Sequence, residues 1–499
     1  MSGRLLGELL EGSVMGMLGE AALKEVSGLV YDSRHVSRGN LFFALPGLKS
    51  DGVDFVGEAV AGGAVAVVAR RDVPGCGVPV IVVNEPRAVM ADAAAKFYGH
   101  PSLKLKLIGI TGTNGKTTTA FLCKAILDSE LQRCGLIGTV KYIVGDEERE
   151  ASRTTPESVD LQRMLSEMVD RGCKAAVMEV SSHALDQQRV KGIEFDAAVF
   201  TNLTQDHLDY HGTMEAYFRA KCRLFEGLAE QKKKRKGRAV VNFDDRFGQL
   251  LLDRLPRAMS RVTFGLGLRS DFRATDVRFS MAGTQYHLEA RGRSYLVRLP
   301  LIGAFNVSNS LAALAATASL GFEVRGAVMA LAEAPQVPGR LELVSSRKEF
   351  QVFVDYAHTE DALRNVLRTL RELGPRRLIV VVGCGGERDR GKRPLMAAAA
   401  ESLADWVILT SDNPRGENPQ DILSDMRRGM MHGRYEQVID REEAIWRAVS
   451  MAGAGDIVLI AGKGHEAYQE VAGRKVPFDD VKVSRRAIDA VLAKALRGG

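Results

Sequence analysis

A chain of 499 residues is too long for one hydrophobic core, and about three domains is the expectation. Hydrophobic residues at 45% and charged residues at 26% are those of a soluble globular protein, and no apolar run is long enough for a transmembrane helix. The net charge of +6 is mild for this length and points to anionic small ligands more than to a nucleic-acid surface.

The opening MSGRLLGELLEGS lacks the basic-then-apolar order of a signal peptide, so a cytoplasmic protein is expected. Six cysteines (Cys76, Cys123, Cys134, Cys173, Cys222, Cys384) are scattered without a CxxC pair. In a reducing compartment they read as free, mostly buried thiols, and zinc is not expected.

Residues 1–101 read as a small α/β unit. LVYDSRHVSRGNLFFALPG places a polar turn between two apolar runs, and GGAVAVVARR and VPVIVVNEP read as further buried strands. Asn84–Arg87 resembles a turn, followed by a helix closed by Gly99 and Pro101.

Residues 102–337 form the second expected unit, organised around LKLIGITGTNGKTTT (Leu105–Thr119). An apolar strand runs into a loop of Gly and small polar residues, and Lys116 opens a segment of helical spacing. Such a loop converges backbone N–H groups and the positive end of a helix on a phosphate. Lys116 adds a point charge, and Thr117 is placed to put its hydroxyl on Mg²⁺. The stretch therefore indicates a nucleoside triphosphate. Two further buried strands, Ala175–Val180 and Ala197–Thr201, end in polar tails (Glu179, Ser181, Ser182 and His183; Asn202, Asp206 and His207) that belong beside this loop at the carboxyl ends of a parallel sheet. Met214–Leu228 reads as a helix carrying Lys221, and the basic run Lys232–Arg238 as a solvated loop. Alternation from Ser270 to Pro300 predicts antiparallel strands. Asn306–Leu320 reads as a helix, and Pro335, Pro338 and Gly339 as a linker.

Residues 338–499 alternate strand and helix, hence a second parallel sheet with helices on both faces. Its loop GCGGERDRGKRP follows the strand Leu378–Val382 but lacks the GxGxxG order of a dinucleotide site.

Taken together, TGTNGKTTT (111–119), RTTPES (153–158), MEVSSHALDQQRV (178–190), NLTQDHLDYHG (202–212), YFRAK (217–221), GAFNVSN (303–309), PGRLE (338–342), DYAH (355–358), GCGGERDRGKRP (383–394), SDNPRGENP (411–419) and AGKGHE (461–466) resemble the Mur ligase family over nearly the whole chain. These are ATP-dependent amide-bond-forming enzymes of bacterial cell-wall synthesis. The resemblance implies three α/β domains: an N-terminal UDP-substrate domain, a central P-loop ATPase domain and a C-terminal Rossmann-like domain. It is strongest to the branch that adds meso-2,6-diaminopimelate to UDP-N-acetylmuramoyl-L-alanyl-D-glutamate, through an acyl phosphate made with ATP and Mg²⁺.

By the same resemblance, Lys116 clamps the β- and γ-phosphates within an ATP site of Thr113, Asn114, Gly115, Lys116, Thr117, Thr118 and Thr119, with Asn309, Arg340 and Asp355 near the nucleotide. Thr117, Glu179, His207 and a carbamylated Lys221 support Mg²⁺; an unmodified lysine would repel the ion. Tyr31, Ser33, Leu48, Lys49 and Ser50 match the uridine side, and Arg153, Thr154, Thr155, Ser181, Gln187 and Arg189 the muramyl-peptide side. Arg388, Asp412, Asn413, Pro414, Arg415, Gly462 and Glu466 match contacts to diaminopimelate, with Arg415 taking the distal carboxylate. A lysine substrate has no such carboxylate, and a buried arginine would then stay unpaired. A monomeric enzyme with small-molecule substrates and no nucleic-acid or membrane partner is expected. The alternatives are a sister ligase adding L-lysine or another amine, and a P-loop nucleotide switch that joins nothing.

Overall fold

The computed structural model describes residues 3–14, 18–47, 50–131, 133–234, 237–345 and 349–497. Three α/β units follow one another, each built on its own sheet. In the first, the strands Gly28–Val30, Asn40–Phe43, Ala66–Ala69 and Val80–Val82 pair in parallel and in chain order. Asn40–Phe43 and Ala66–Ala69 are buried at every position, which is why they read as unbroken apolar runs. The helix Pro86–Phe97 packs Val89, Met90, Ala93 and Phe97 against them. It begins earlier than expected: Pro86 and Arg87 are its first residues, not part of a turn. Proline suits the first helical position because its missing N–H has no intrahelical partner there.

Among the described residues the central sheet has eleven strands. Its parallel heart runs Cys134–Ile137, Ala175–Glu179, Lys106–Thr111, Ala197–Phe200, Arg238–Asn242 and Arg261–Gly265. Lys106–Thr111 lies in the middle, with Ile110 opposite Glu179 and Thr111 opposite Phe200, so the phosphate loop and the two polar tails leave the sheet at one level. Helices Lys116–Leu131 and Ala304–Ser319 bury one face, and Ser158–Asp170 and Met214–Glu230 the other. The alternating stretch forms the antiparallel strands Phe272–Ser280, Gly283–Ala290 and Arg293–Leu299.

The basic run is exposed at Lys232 and Lys233, as expected of a solvated loop, but not at Lys234. Lys234 is largely buried; its amine meets Asp196 at 2.5 Å and the carbonyls of Ser102 and Leu105 at 2.9 and 2.6 Å. A long aliphatic stem lets one lysine of a charged run turn inward where a carboxylate and carbonyls await it. Residues 235 and 236 lie outside the described residues.

The third sheet orders Glu342–Ser345, Phe350–Asp355, Asp456–Ala461, Leu378–Cys384, Trp406–Ser411 and Tyr435–Gln437. It is parallel except for its first strand, an antiparallel edge next to Phe350–Asp355. The final helix, Asp480–Arg497, packs Val483, Ala487 and Ile488 against this sheet and is also tied to it by a buried ion pair. Arg441 gives its Nε and Nη2 to the two oxygens of Asp480 at 2.8 and 2.7 Å, and other N–H groups to the carbonyls of Ser411 and Ala461 at 3.3 and 3.0 Å. Both side chains are fully buried, so each charge depends on the other.

Arg441→Met strands the Asp480 carboxylate in the core and is expected to cost about 3–5 kcal/mol in chemical denaturation, while Arg441→Met with Asp480→Leu should recover most of that loss.

Candidate active site

The phosphate loop is shaped by what its glycines leave out. Gly112 has φ 150°, and a Cβ there would fall 1.8 Å from the Thr201 hydroxyl; Gly115 has φ 84°, and a Cβ would fall 2.2 Å from Asn309 Oδ1. The neighbouring strand end closes the loop: Thr113 N donates to the Asn202 carbonyl at 2.8 Å, and Asn114 N to Asn202 Oδ1 at 2.9 Å. Helix Lys116–Leu131 then starts with Thr117, Thr118 and Thr119 buried.

Lys116 donates to the carbonyls of Gly112 and Thr113 at 2.9 and 2.8 Å. Lys221 reaches the same Gly112 carbonyl at 2.8 Å from helix Met214–Glu230, with its amine 4.5 Å from the Tyr217 ring centre. It is 1% exposed. Burial, then the charge of Lys116, pushes its pKa well below the ordinary lysine value. Burial also lowers Lys116.

Glu179 is buried at the end of its strand. Oε2 accepts from Thr117 Oγ1 at 2.9 Å and Thr139 Oγ1 at 3.1 Å, and Oε1 from Thr139 N at 2.8 Å. Asp206 and His207 sit on the adjacent tail, 3.4 Å apart. His207 takes φ 54°, and its ring faces those of His183 and Tyr217. Among the described residues no three His, Cys, Asp or Glu side chains form a ready-made metal cluster.

The third unit closes this site. Arg340, just past the linker, donates to Thr117 Oγ1 at 3.1 Å and lies over the Tyr356 ring, while Asn114 Nδ2 donates to Asp361 at 3.1 Å. A cavity of about 280 Å³ lies between the units, walled by the phosphate loop, Glu179, His207, Lys221, Asn309, Arg340 and Asp355–His358. Asp355 accepts from the backbone N–H groups of Leu341 and Ala357 at 2.6 and 2.7 Å, and burial lifts its pKa to about 6.

All the parallel strands of the third sheet end on the edge that carries Asp355, which brings Gly383–Arg388, Asp412–Arg415 and Gly462–Glu466 into one row of loops. Lys463, fully buried, donates to Asn413 Oδ1 and to Glu466 Oε2, each at 2.9 Å, and Asn413 Nδ2 donates to Glu466 Oε2 at 2.8 Å. Gly462, at φ 114°, packs against Asp412: a Cβ would fall 2.7 Å from its Oδ2. Arg415, at φ 54°, donates from Nη1 to the Gly386 carbonyl at 2.6 Å and sets Nε 3.3 Å from Glu470. The Pro414 carbonyl accepts from Glu417 N at 3.0 Å. Arg388 is exposed on the glycine loop.

The residues expected on the muramyl-peptide and uridine sides divide. Thr154, Thr155 and Ser181 meet around Glu179, with Thr154 Oγ1 3.0 Å from Thr139 Oγ1 and Thr155 Oγ1 donating to the Glu179 carbonyl at 2.9 Å. Arg189 donates to the Thr155 carbonyl at 2.8 Å and to Gln187 at 2.7 Å. Tyr31 crosses from the first unit to donate to Asp160 at 2.6 Å. Ser33 instead donates to Glu58 within its own unit, and Ser50 is exposed. Leu48 and Lys49 lie outside the described residues.

A phosphate-loop sheet, a second parallel sheet closed over it and a buried lysine–carboxylate pocket between them define an ATP-using α/β ligase. Three family models match in order: the Mur ligase family catalytic domain at 25–98, the Mur ligase middle domain at 110–317, and the Mur ligase glutamate ligase domain at 339–464. The chain belongs to the Mur ligase family. It is 48% identical, over 93% of its length and 95% of the relative's, to the UDP-N-acetylmuramoyl-L-alanyl-D-glutamate–2,6-diaminopimelate ligase of Geobacillus kaustophilus. A solved structure of a ligase of that name is 37% identical, covers 98% of this chain and 99% of its own, and superposes with a TM-score of 0.70. The MurF ligase of Thermotoga maritima, solved in complex with ADP, shares the fold at 21% identity and a TM-score of 0.65, over 94% of this chain and 98% of its own.

Several side chains at the site escaped the sequence reading. Thr139 lies two residues past the strand Cys134–Ile137 beside the phosphate loop, and the strand-end rule that found Glu179 applies equally to it. Lys463 sits inside GKGHE, but its complete burial has no sequence signal. Glu470 belongs to the hairpin Tyr468–Val471 and Arg474–Pro477, announced only by the Gly473 turn.

Burial holds His183 and His207 down to about 4 and His465 to about 3, so they stay neutral in the fold while an unfolded imidazole protonates near 6.5. Depressed histidines favour the fold above pH 6.5 and lose that contribution as pH falls, by roughly 1.4 kcal/mol per pH unit for each imidazole. The raised Asp355 works the other way, losing stability as pH rises toward 6, but one carboxyl is outweighed by three imidazoles. The unfolding midpoint should therefore fall steadily from pH 6.5 to pH 4, and His183→Asn should flatten that slope in calorimetry.

Proposed function

We propose that the protein is the ligase that joins meso-2,6-diaminopimelate to UDP-N-acetylmuramoyl-L-alanyl-D-glutamate at the expense of ATP. Residues 1–101 hold the UDP end, 102–337 the ATP and the reacting carboxylate, and 338–499 the incoming amino acid. One observation carries the amino-acid assignment. Asn413, Arg415, Gly462 and Glu466 share the strand-end edge of the third sheet with Asp355–His358, which line the phosphate cavity. A ligand bound along that edge meets the Glu466 carboxylate, whose Oε2 is taken by Lys463 and Asn413 and whose Oε1 is left for an amine, and a guanidinium at Arg415 for a second carboxylate. Diaminopimelate carries both groups; lysine lacks the carboxylate.

Lys116 and the loop N–H groups bind the triphosphate and neutralise charge that builds on the transferred phosphoryl group. The glutamyl carboxylate of the muramyl dipeptide takes that phosphoryl group as an acyl phosphate. The amine then attacks the acyl carbon, and inorganic phosphate leaves. Closure of Arg340 and Asn114–Asp361 over the site excludes water that would otherwise hydrolyse the acyl phosphate.

The buried oxygens of Thr117 and Glu179 are hard donors that suit Mg²⁺, with His207 and Lys221 beside them. With so few protein ligands, the ion would keep waters and substrate oxygens as well. When bound it supplies positive charge to the phosphates. An ammonium at Lys221 would oppose it, but burial and Lys116 favour the neutral amine. A neutral amine adds to carbon dioxide, forming an N–C bond and releasing a proton, and the resulting carbamate replaces a repulsive cation with an oxygen anion.

Phosphate release should depend on both diaminopimelate and the muramyl dipeptide; release without any amine would favour a nucleotide switch, and equal release with L-lysine a sister ligase. Arg415→Ala should lower kcat/KM for diaminopimelate about 10- to 100-fold with the KM for ATP unchanged, because one charge-assisted contact is lost. Lys221→Ala should abolish turnover, and a small carboxylate added to the assay should restore part of it.

A further inference from the structure

The seam between the first and central units holds a charge cluster whose excess the proposed chemistry leaves unexplained. Glu157, 4% exposed, lies among three guanidiniums. Arg87 Nη1 stands 2.7 Å from Oε2, while Arg153 Nη1 and Arg189 Nε stand 3.1 and 3.2 Å from Oε1. Arg87 comes from the first turn of the helix Pro86–Phe97, and the other two from loops of the central unit. One carboxylate cannot neutralise three cations, so packing them together is unfavourable unless a second anion joins them.

The three arginines are not equivalent. Arg189 is tied down on the Thr155 carbonyl and Gln187 as well as on Glu157, and its side chain is 10% exposed. Arg153 and Arg87 each commit one nitrogen to Glu157, and their side chains are 54% and 21% exposed. Their remaining N–H groups are open to a ligand. The loop that carries Arg153 and Glu157 also carries Thr154, which lines the phosphate cavity, so the cluster borders the path from that cavity to the first unit.

Resting on the proposed function, we infer that Arg87 binds the muramyl-dipeptide substrate, offering with Arg153 a paired guanidinium face to one of its anionic groups, a peptide carboxylate or the diphosphate. Glu157 is the positioning residue that anchors both side chains from behind. The first unit thus contributes charge to substrate recognition as well as the uridine pocket.

Steady-state KM values for UDP-N-acetylmuramoyl-L-alanyl-D-glutamate, ATP and diaminopimelate, measured for wild type, Arg87→Gln and Arg87→Lys, test this. Arg87→Gln should raise the KM for the muramyl dipeptide about tenfold and leave the other two within about twofold, with Arg87→Lys falling between, since it keeps the charge but loses the fork. Inhibition by UDP-N-acetylglucosamine, which has the diphosphate but no carboxylate, separates the two anions: it weakens in Arg87→Gln if the diphosphate is bound and is unchanged if the peptide carboxylate is. An unchanged KM for the muramyl dipeptide in both variants, or an equal rise in all three KM values, would make the cluster a structural ion pair and overturn the inference. Should wild type lack amine-dependent turnover, the proposed function fails first, and the two failures stay distinct.

Discussion

The carboxylate of Glu179 is the point on which the rest of the site depends. It is buried at the end of a parallel strand, where an unpaired charge is costly, and three donors satisfy it. Those donors belong to the helix after the phosphate loop and to Thr139 in the bend after the strand Cys134–Ile137, while the carbonyl of Glu179 receives Thr155. Thr117, in turn, receives Arg340 from beyond the linker. One side chain and its hydrogen bonds thus set the relative positions of the triphosphate loop, the substrate loop and the closing unit.

A second constraint is that, among the described residues, neither Lys116 nor Lys221 is in an ion pair with a carboxylate, although Glu179 and Asp206 line the same cavity. Two amines share the carbonyl of Gly112, and the more deeply buried one sits against an aromatic ring. Low dielectric and a neighbouring like charge act on Lys221 in the same direction. Local electrostatics therefore favour the neutral amine that a modification chemistry needs, without a dedicated base.

Much of this was legible in the sequence because it lies at strand ends. An apolar run followed by polar residues fixes both the strand and the direction its tail faces, and so Glu179, His207 and the phosphate loop could be placed together before any coordinates. What stayed hidden depends on contacts between distant segments. Lys234 reads as one lysine of a basic run, and only Asp196 and the carbonyls of the strand start draw it inward. Lys463 and Arg87 carry no periodicity that marks them, and their meaning comes from Asn413 and Glu157, 50 and 70 residues away along the chain. Pro86 was misread because a proline after polar residues suits a turn and a helix start alike.

The linker meets the amino-acid loop with no room to spare. A Cβ on Gly339 would fall 2.1 Å from the backbone nitrogen of His465, and one on Gly464 would fall 2.7 Å from the Gly339 carbonyl. Main chain therefore presses on main chain where the GKGHE loop passes the joint between units. Exchanging the amino acid this enzyme accepts is for that reason also a change to the joint: a wider pocket floor would displace the linker backbone at Gly339, and the two would have to be redesigned as one part.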